Sequence, residues 1–463
     1  MFNVGSGCSR IQLPTSIPLA GYLARTESSC GMHDPLFARV AAVESEGRAL
    51  TVVSLDLLYS DTGLACAIRS AVAKATQADP SSIMICCTHT HSAPACIFPD
   101  SGRHDPSIVA AITGAAADAA LDAWSSLELC ELYHASGTVT GVASRRSELT
   151  GEAGPIDQFV YVAEFRSRAQ SHAGVARSVA RIVSFACHPT VLGPDNLMLT
   201  RDLPGFIVDS CEDDMRASGV ERPFGMFLNG AAADVSTRYT RRSQTFDEAA
   251  RLGRQVASRA SELAAIALPS SSAKVSLMCN HVQLPRKPSV SWERALESIG
   301  QAESEAERLV RSGADHMAVK AAQDRAAAWR IVLTRSKNRA EAEAKSDAAI
   351  TAAAARGAIR AEICMARLGD LVMALIPGEL PYDTGKAMEE AMARARPWGS
   401  CGCSRECVWV VGYSNGHFGY LVPERAAPDA YEQVMSDLAP EATAEVVRVA
   451  ATLSSKGMCI DPC

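Results

Sequence analysis

The apolar run Ile83-Met84-Ile85-Cys86-Cys87 breaks off into Thr88-His89-Thr90-His91-Ser92-Ala93-Pro94, and this junction constrains the chain more than any other segment. A short continuous apolar run ended by a breaker reads as a strand buried on both faces, as in an α/β sheet. Residues two apart on a strand share a face. His89 and His91 are therefore expected side by side at its carboxyl end, with Pro94 ending the pairing. Ligands of open α/β sheets bind beyond the carboxyl ends of strands. Two imidazoles there are half of a metal site, and the bland alternative is a pair of polar loop histidines, because zinc takes three or four ligands.

The surrounding sequence supplies the rest of such a sheet. Leu50 to Leu57, Glu128 to His134, Phe159 to Phe165 and Ala180 to Cys187 read as strands. Asp61 to Thr76 and the Ala-rich stretch from Pro106 to Trp124 read as helices. This alternation predicts an α/β fold: a layered mixed β-sheet core flanked by helices. With no repeat and no linker of Gly, Ser or Pro, residues 1–463 are expected to form a single catalytic unit. From Ser291 to Arg356 the composition shifts to Ala, Glu, Lys and Arg, with a turn signal at Ser312-Gly313. That segment predicts an inserted, solvated αα-hairpin, supported by pairs such as Glu307 with Arg311 at i,i+4. Ala358 to Arg367 and Leu371 to Ile376, joined by Leu-Gly-Asp, predict a strand hairpin.

Composition excludes several classes. A net charge of −7 leaves no basic footprint for nucleic acid. The start from Met1 to Gly7 lacks a basic and apolar leader, and no uninterrupted apolar stretch approaches the ~20 residues of a membrane helix. A cytoplasmic setting is expected, with homo-oligomerisation left open. Sixteen cysteines in such a setting are expected to be free thiols, with Cys187 and Cys364 acting as small apolar residues. The cluster Cys401, Cys403 and Cys407, with Cys459 and Cys463, has spacings unlike a zinc ribbon and reads better as ordinary thiols.

Further ligands are sought among ten histidines and the carboxylates. His188 follows the run Ser184-Phe185-Ala186-Cys187 and precedes Pro189, repeating the geometry of the first site. Glu379 follows Leu371 to Ile376 through Pro377-Gly378, where glycine permits close backbone approach. Alone, each has a structural reading, a backbone-bonded histidine or a helix-start carboxylate. Together, three strand exits carrying His, His and Glu favour a zinc site.

These residues, in this order, resemble the neutral/alkaline (non-lysosomal) ceramidases, specifically their N-terminal catalytic domain. The likeness includes Ala20-Gly21-Tyr22, Gly31 to Arg39 and the Thr-His-Thr-His block, which the family writes Thr-His-Thr-His-Ser-Gly-Pro. It continues through Phe185 to Thr190, Arg201 to Gly205, Asn229 to Ser236, Pro377-Gly378-Glu379 and Gly412 to Tyr420. The resemblance implies one Zn²⁺ per chain held by His89, His188, Glu379 and Tyr420. It implies that His91, Arg146 (preferred over Arg145 for its following serine) and Tyr431 face the substrate. Asp56, Asp202 and Asp234 are candidate acceptors for the second ring nitrogens of the ligand histidines, although Asp234 could equally cap a helix.

The implied chemistry is zinc-assisted hydrolysis of an amide C–N bond in an N-acyl amine, ceramide-like or smaller and more soluble. An oxyanion would meet zinc and Arg146, and His91 or Tyr431 would protonate the amine. Alternatives are a zinc-dependent amide-forming, cyclising or acyl-transfer enzyme, and a non-catalytic metal-binding relative. Exported relatives carry a C-terminal β-sandwich domain for which this chain is expected to have no room. Its Ser92-Ala93-Pro94, and His417 and Phe418 before Tyr420, also depart from the family pattern. An aromatic content of 5% predicts no membrane-interface belt.

Overall fold

The computed structural model describes residues 1–98, 103–146, 154–170, 176–344, 357–395 and 407–456. Strands Phe2–Arg10 (β1), Phe37–Ser45 (β2), Arg48–Leu55 (β3), Ile83–Cys87 (β4), Glu128–Val139 (β5), Gln158–Gln170 (β6), Ala176–Phe185 (β7) and Gly225–Asn229 (β8) form one mixed sheet. Their spatial order is β8-β7-β6-β5-β1-β2-β3-β4. The outermost pairs, β7 with β8 and β3 with β4, are parallel, and the rest are antiparallel.

The sheet curls until its two ends meet. Ser54 Oγ on β3 donates to the Phe227 carbonyl on β8 at 2.7 Å, inside a buried contact. This curl brings the carboxyl ends of β4, β7 and β8 together, which a flat sheet of that order could not do. As expected, β4 is buried on both faces. Met84 and Cys86 point into the core inside the curl, while Ile83, Ile85 and Cys87 face the helical layer. That layer includes Thr62–Thr76 (α1), whose first turn is capped by Asp61 accepting from Leu64 N, and Pro106–Ser125 (α2). On the other flank lie Asp202–Ala217 (α3) and Phe246–Ala265 (α4).

A second sheet, Val275–Pro285 (β9), Ala358–Leu368 (β10), Leu371–Leu375 (β11) and Val408–Val411 (β12), closes the core with Cys364, Met373 and Trp409. The β10–β11 hairpin is the one expected, turning at Gly369 with φ +60. Between β9 and β10 run Trp292–Arg311 (α5) and His316–Ala344 (α6), turning at Gly313 with φ +66. The pairs Glu303–Arg330 and Glu305–Arg325 run in opposite directions along the two helices, so the hairpin is antiparallel over a seam of Ala302, Ala306, Ala322 and Ala326. The exposed Glu307–Arg311 pair forms at 3.5 Å. Residues 345–356 of this expected hairpin lie outside the described residues. Tyr382–Ala395 (α7), Tyr431–Met435 (α8) and Glu441–Lys456 (α9) complete the order.

Two expectations are corrected. Cys279 and Cys364 stand directly opposite across β9 and β10, with Cα atoms 4.0 Å apart, and are joined as a disulfide, so Cys364 is not a free thiol. Cys407 is buried, whereas Cys401, Cys403, Cys459 and Cys463 lie outside the described residues. Further, α2 is long and apolar enough to span a membrane by length and hydropathy alone. Its Ala115, Ala116, Ala119, Ala120 and Ala123 are instead buried against the sheet.

Alanines on α2 and glycines on β1 explain each other. A Cβ on Gly5 would lie 1.9 Å from the Ala123 carbonyl, and one on Gly7 2.0 Å from that of Ala119. Glycine hides β1 from a propensity-based reading, yet the helix can approach so closely only over glycine. Gly7→Val should therefore destabilise the fold by about 3 kcal/mol, in the range of overpacking. Gly114→Ala, which meets nothing within 4 Å, should stabilise by about 0.5–1 kcal/mol through helix propensity. Denaturant unfolding of the two variants checks both signs.

Candidate metal centre

Strand β4 stops at Cys87, before either histidine. His89 sits in the left-handed region with φ +71, so the strand-face argument for placing it beside His91 does not hold. Such a backbone is costly for a non-glycine residue and persists only where neighbours enforce it. Here they do. His89 N donates to the Leu57 carbonyl at 2.9 Å, and Cys87 N to that of Tyr413 at 3.1 Å. Asn415, itself at φ +60, bonds Ile85 in both directions: its side chain accepts at 2.9 Å and its amide donates at 2.8 Å. The loop carrying Tyr413 thus runs along β4 like an added edge strand.

His188 emerges just past β7, and Asn229 at the end of β8 ties it to the first motif. Asn229 Nδ2 donates to the carbonyls of Thr88 at 3.1 Å and Cys187 at 3.2 Å, the residues immediately before His89 and His188. Its Oδ1 accepts from Cys187 N at 3.3 Å. The turn after Asn229 is lined by Ala231, Ala232 and Ala233, all buried, which lets its backbone reach the site. His188 N donates to the Val235 carbonyl at 2.8 Å, and Arg146 N to that of Asp234 at 2.9 Å.

Glu379 arrives from the second sheet. Gly378 permits it: a Cβ there would lie 2.4 Å from the Phe418 ring and 2.8 Å from the Gly419 carbonyl. Glu379 N donates to the Gly419 carbonyl and Leu421 N to that of Glu379, both at 2.9 Å, so Tyr420 is held alongside the carboxylate.

The side chains converge. His89 Nε2 lies 3.1 Å from His188 Nε2 and 3.4 Å from His91 Nε2. Glu379 Oε2 lies 3.5 Å from His89 Nε2 and 3.4 Å from His188 Nε2, and it is buried without a hydrogen-bond partner among the described residues. The ring orientation is fixed by backbone: His89 Nδ1 faces the Leu58 carbonyl at 2.8 Å and His188 Nδ1 that of Ala232 at 2.6 Å. A carbonyl can only accept, so each Nδ1 carries the proton and each Nε2 presents a lone pair. Burial pushes the pKa values of His89 and His91 down to about 3, and that of His188 well below its usual value, so all three are neutral at pH 7. Burial opposes ionisation of Glu379, but the contact with His417 and the Arg146 charge hold its pKa below the usual value. Lone pairs and a carboxylate facing one another across such distances are what a divalent cation requires.

The acceptors behind the histidines are therefore carbonyls, which corrects the expected aspartates. Asp56 accepts from Phe37 N at 2.9 Å. Asp202 bonds the amides of Leu192 at 3.1 Å and Leu203 at 2.6 Å. Asp234 accepts at 2.7 Å from Tyr382 N, the first amide of α7, which is the helix-start role weighed for it. Each shapes a loop rather than a ligand.

The neighbouring arginines separate. Arg146 reaches Glu432 on α8 at 2.7 Å and the Ala233 carbonyl, and its charge bears on His91, His188 and Glu379. Arg145 points to Asp383 at 3.1 Å and Asp234 at 3.6 Å instead. Tyr431 lies edge-on to Tyr420, with ring centroids 6.2 Å apart. Sequence reading missed other contacts. Tyr413 stacks on His89 at 3.9 Å, His417 Nε2 lies 3.4 Å from Glu379 Oε1, and Tyr59 stacks on His417 at 3.9 Å. The signal for Tyr413 and His417 was the Gly412 to Tyr420 block, read as the carrier of Tyr420 and, at His417, as a departure from the family pattern; Tyr59 carried no such signal. Tyr22, whose ring lies 5.0 Å from that of His91, brings the tyrosines around the site to five of the chain's nine: Tyr22, Tyr59, Tyr413, Tyr420 and Tyr431. A low aromatic percentage concealed this wall. The helical hairpin borders it, with Asp324 3.4 Å from Arg238.

Asn229 gives the sharpest test of this construction. Asn229→Ala leaves the carbonyls of Thr88 and Cys187 without that donor, at about 1–3 kcal/mol per buried group. It should lower unfolding stability by about 3 kcal/mol and weaken binding of divalent zinc at least about 10-fold, as measured by competition with a chromogenic chelator. Unchanged zinc affinity would show that the two histidine segments hold themselves in place.

Residues 2–247 match the family described as neutral/alkaline non-lysosomal ceramidase, N-terminal. The fold matches the neutral ceramidase from Pseudomonas aeruginosa with a TM-score of 0.71 at 17% identity, covering 98% of this chain and 74% of that one. It also matches a ceramidase complexed with C2, with a TM-score of 0.69 at 16% identity, covering 99% and 75% respectively. No curated protein matches the chain in sequence. The family match spans the Thr-His-Thr-His junction, His188 and the Asn229 turn, and this chain belongs to the neutral/alkaline non-lysosomal ceramidase family.

Proposed function

We propose that this protein is a zinc-dependent hydrolase that cleaves the amide C–N bond of an N-acyl amine, either ceramide-like or smaller. The observation that carries the reading is the meeting of two unprotonated Nε2 atoms, 3.1 Å apart, with Glu379 Oε2, which has no hydrogen-bond partner among the described residues. His89, His188 and Glu379, with Tyr420 beside them, would hold the ion. Imidazole nitrogen and carboxylate oxygen are donors that suit zinc. When bound, zinc supplies a Lewis acid and a nucleophile usable at neutral pH.

The protein's own groups do the rest. His91 is neutral and close to His89, so its free nitrogen takes the proton that the attacking water loses and returns it to the departing amine nitrogen. The C–N bond then breaks to give an acid and a neutral amine. Arg146, braced by Glu432, presents a fixed guanidinium to the negative charge that develops on the carbonyl oxygen. Burial and the nearby Glu379 charge push the Tyr431 pKa well above its usual value, so Tyr431 keeps its proton and serves as a hydrogen-bond donor. The backbone at Gly21 packs against the His91 ring, where a Cβ would lie 2.5 Å from Nδ1, and this fixes the ring's approach.

Protein loaded with zinc should release carboxylic acid from N-acyl amines, lose that activity on chelation and regain it on zinc addition. His188→Ala and Glu379→Gln should each lower turnover by at least about 100-fold, the upper range for changes just outside a metal's own ligands, while near-wild-type unfolding transitions persist. Acid release that survives chelation, or full activity in either variant, would contradict the proposal.

A further inference from the structure

Four arginines gather at the edge of the centre where His91 lies. Two have an acidic partner: Arg146 has Glu432 at 2.7 Å, and Arg238 has Asp324 at 3.4 Å, a carboxylate that Lys320 also holds at 2.5 Å. Arg25 and Arg241 are not, since among the described residues neither lies within ion-pair distance of a carboxylate. Arg25 lies over the Tyr22 ring, 4.9 Å from its centroid, and donates Nη1 to the carbonyls of His91 at 2.8 Å and Ala20 at 3.1 Å. Its Nε donates to the Pro194 carbonyl at 3.2 Å, while its Nη2 is buried with no hydrogen-bond partner among the described residues. Arg241 donates Nη1 to the Thr190 carbonyl at 2.9 Å, two residues past His188. The Asp202 carboxylate and, against it, Arg241, Arg25 and Arg238 act electrostatically on Tyr22, whose ring lies 5.0 Å from that of His91. Asp202, the carboxylate on this side, uses its oxygens on the amides of Leu192 and Leu203.

A half-buried guanidinium without an ion-paired counter-ion has given up hydration and gained in return carbonyls and, for Arg25, the Tyr22 ring or, for Arg241, the more distant charge of Asp202. Burial disfavours the charge on both Arg25 and Arg241. An anion placed over Tyr22 would restore that loss, and arginine's fork of donors suits carboxylate or phosphate oxygens. A neutral amide offers no such group. Resting on the amide-hydrolase reading above, we infer that the substrate carries an anionic group, a carboxylate or a phosphate, held by Arg25 and Arg241 beside the scissile amide.

The test uses three compounds with the same acyl chain: an N-acyl glycine, an N-acyl ethanolamine and its phosphate ester. With zinc-loaded protein, kcat/KM for one of the two anions should exceed that for the neutral amide by at least about 10-fold, and the preferred anion tells carboxylate from phosphate. Arg241→Gln and Arg25→Gln should each reduce this ratio about 10-fold, whereas Arg241→Lys, which keeps the charge, should retain most of it. Arg216→Gln, an exposed arginine paired with Asp213, should leave the ratio unchanged. Calorimetric titration of the same compounds separates the two claims. If nothing is hydrolysed, yet an anion binds more tightly than the neutral amide and Arg241→Gln abolishes the difference, hydrolysis fails and anion recognition stands. Equal kcat/KM and equal Kd across the three compounds would overturn the inference.

Discussion

Two lone pairs that face each other are the constraint from which the rest of this structure follows. His89 and His188 each commit the Nδ1 proton to a backbone carbonyl, of Leu58 and of Ala232, and so present bare Nε2 atoms to one another and to the Glu379 carboxylate. That arrangement is repulsive on its own and becomes favourable only around positive charge. The curl of the main sheet, the Asn229 staple and the alanine-rich turn at 231–233 all bring its members together. Acceptors made of backbone hold a ring in one tautomer without adding charge to a buried site, which an aspartate in the same place would do.

The electrostatics divide the site into two halves. On the ligand side, neutral imidazoles and one carboxylate sit among Tyr413, Tyr420 and His417, and the surroundings favour a cation. On the His91 side, guanidinium groups dominate, and among the described residues Arg146 and Arg238 are ion-paired while Arg25 and Arg241 are not. The proposed reaction would place the carbonyl whose oxygen gains negative charge between the two halves, and the inferred anionic substituent near Tyr22. The helical hairpin contributes to the second half through Asp324, which lies 3.4 Å from Arg238.

Much of this was legible in the sequence, for identifiable reasons. His89, His188 and Glu379 announce themselves because each follows an apolar strand that ends at a proline or glycine, and strand exits of one fold meet. The arginine preceding Ser147 is the one that reaches the site. What stayed hidden involves backbone and shape. The carbonyls of Leu58 and Ala232 leave no trace in residue identity, so carboxylates at Asp56, Asp202 and Asp234 were expected in their stead. The left-handed backbone at His89 defeats a period-two argument, although the two histidines still meet. Glycines that admit α2 hide the strand character of β1, and the Cys279–Cys364 pairing depends on a strand register that joins residues 85 apart. Tyr413 and His417 were overlooked because one block carried several roles.

The most direct test is crystallographic. Crystals grown with zinc and measured on both sides of the zinc absorption edge should show one anomalous peak bonded to His89 Nε2, His188 Nε2 and Glu379, at the roughly 2.0–2.2 Å expected of zinc with such donors. A peak found only elsewhere, or none at saturating zinc with these three side chains joined through ordered water, would contradict the account at its centre.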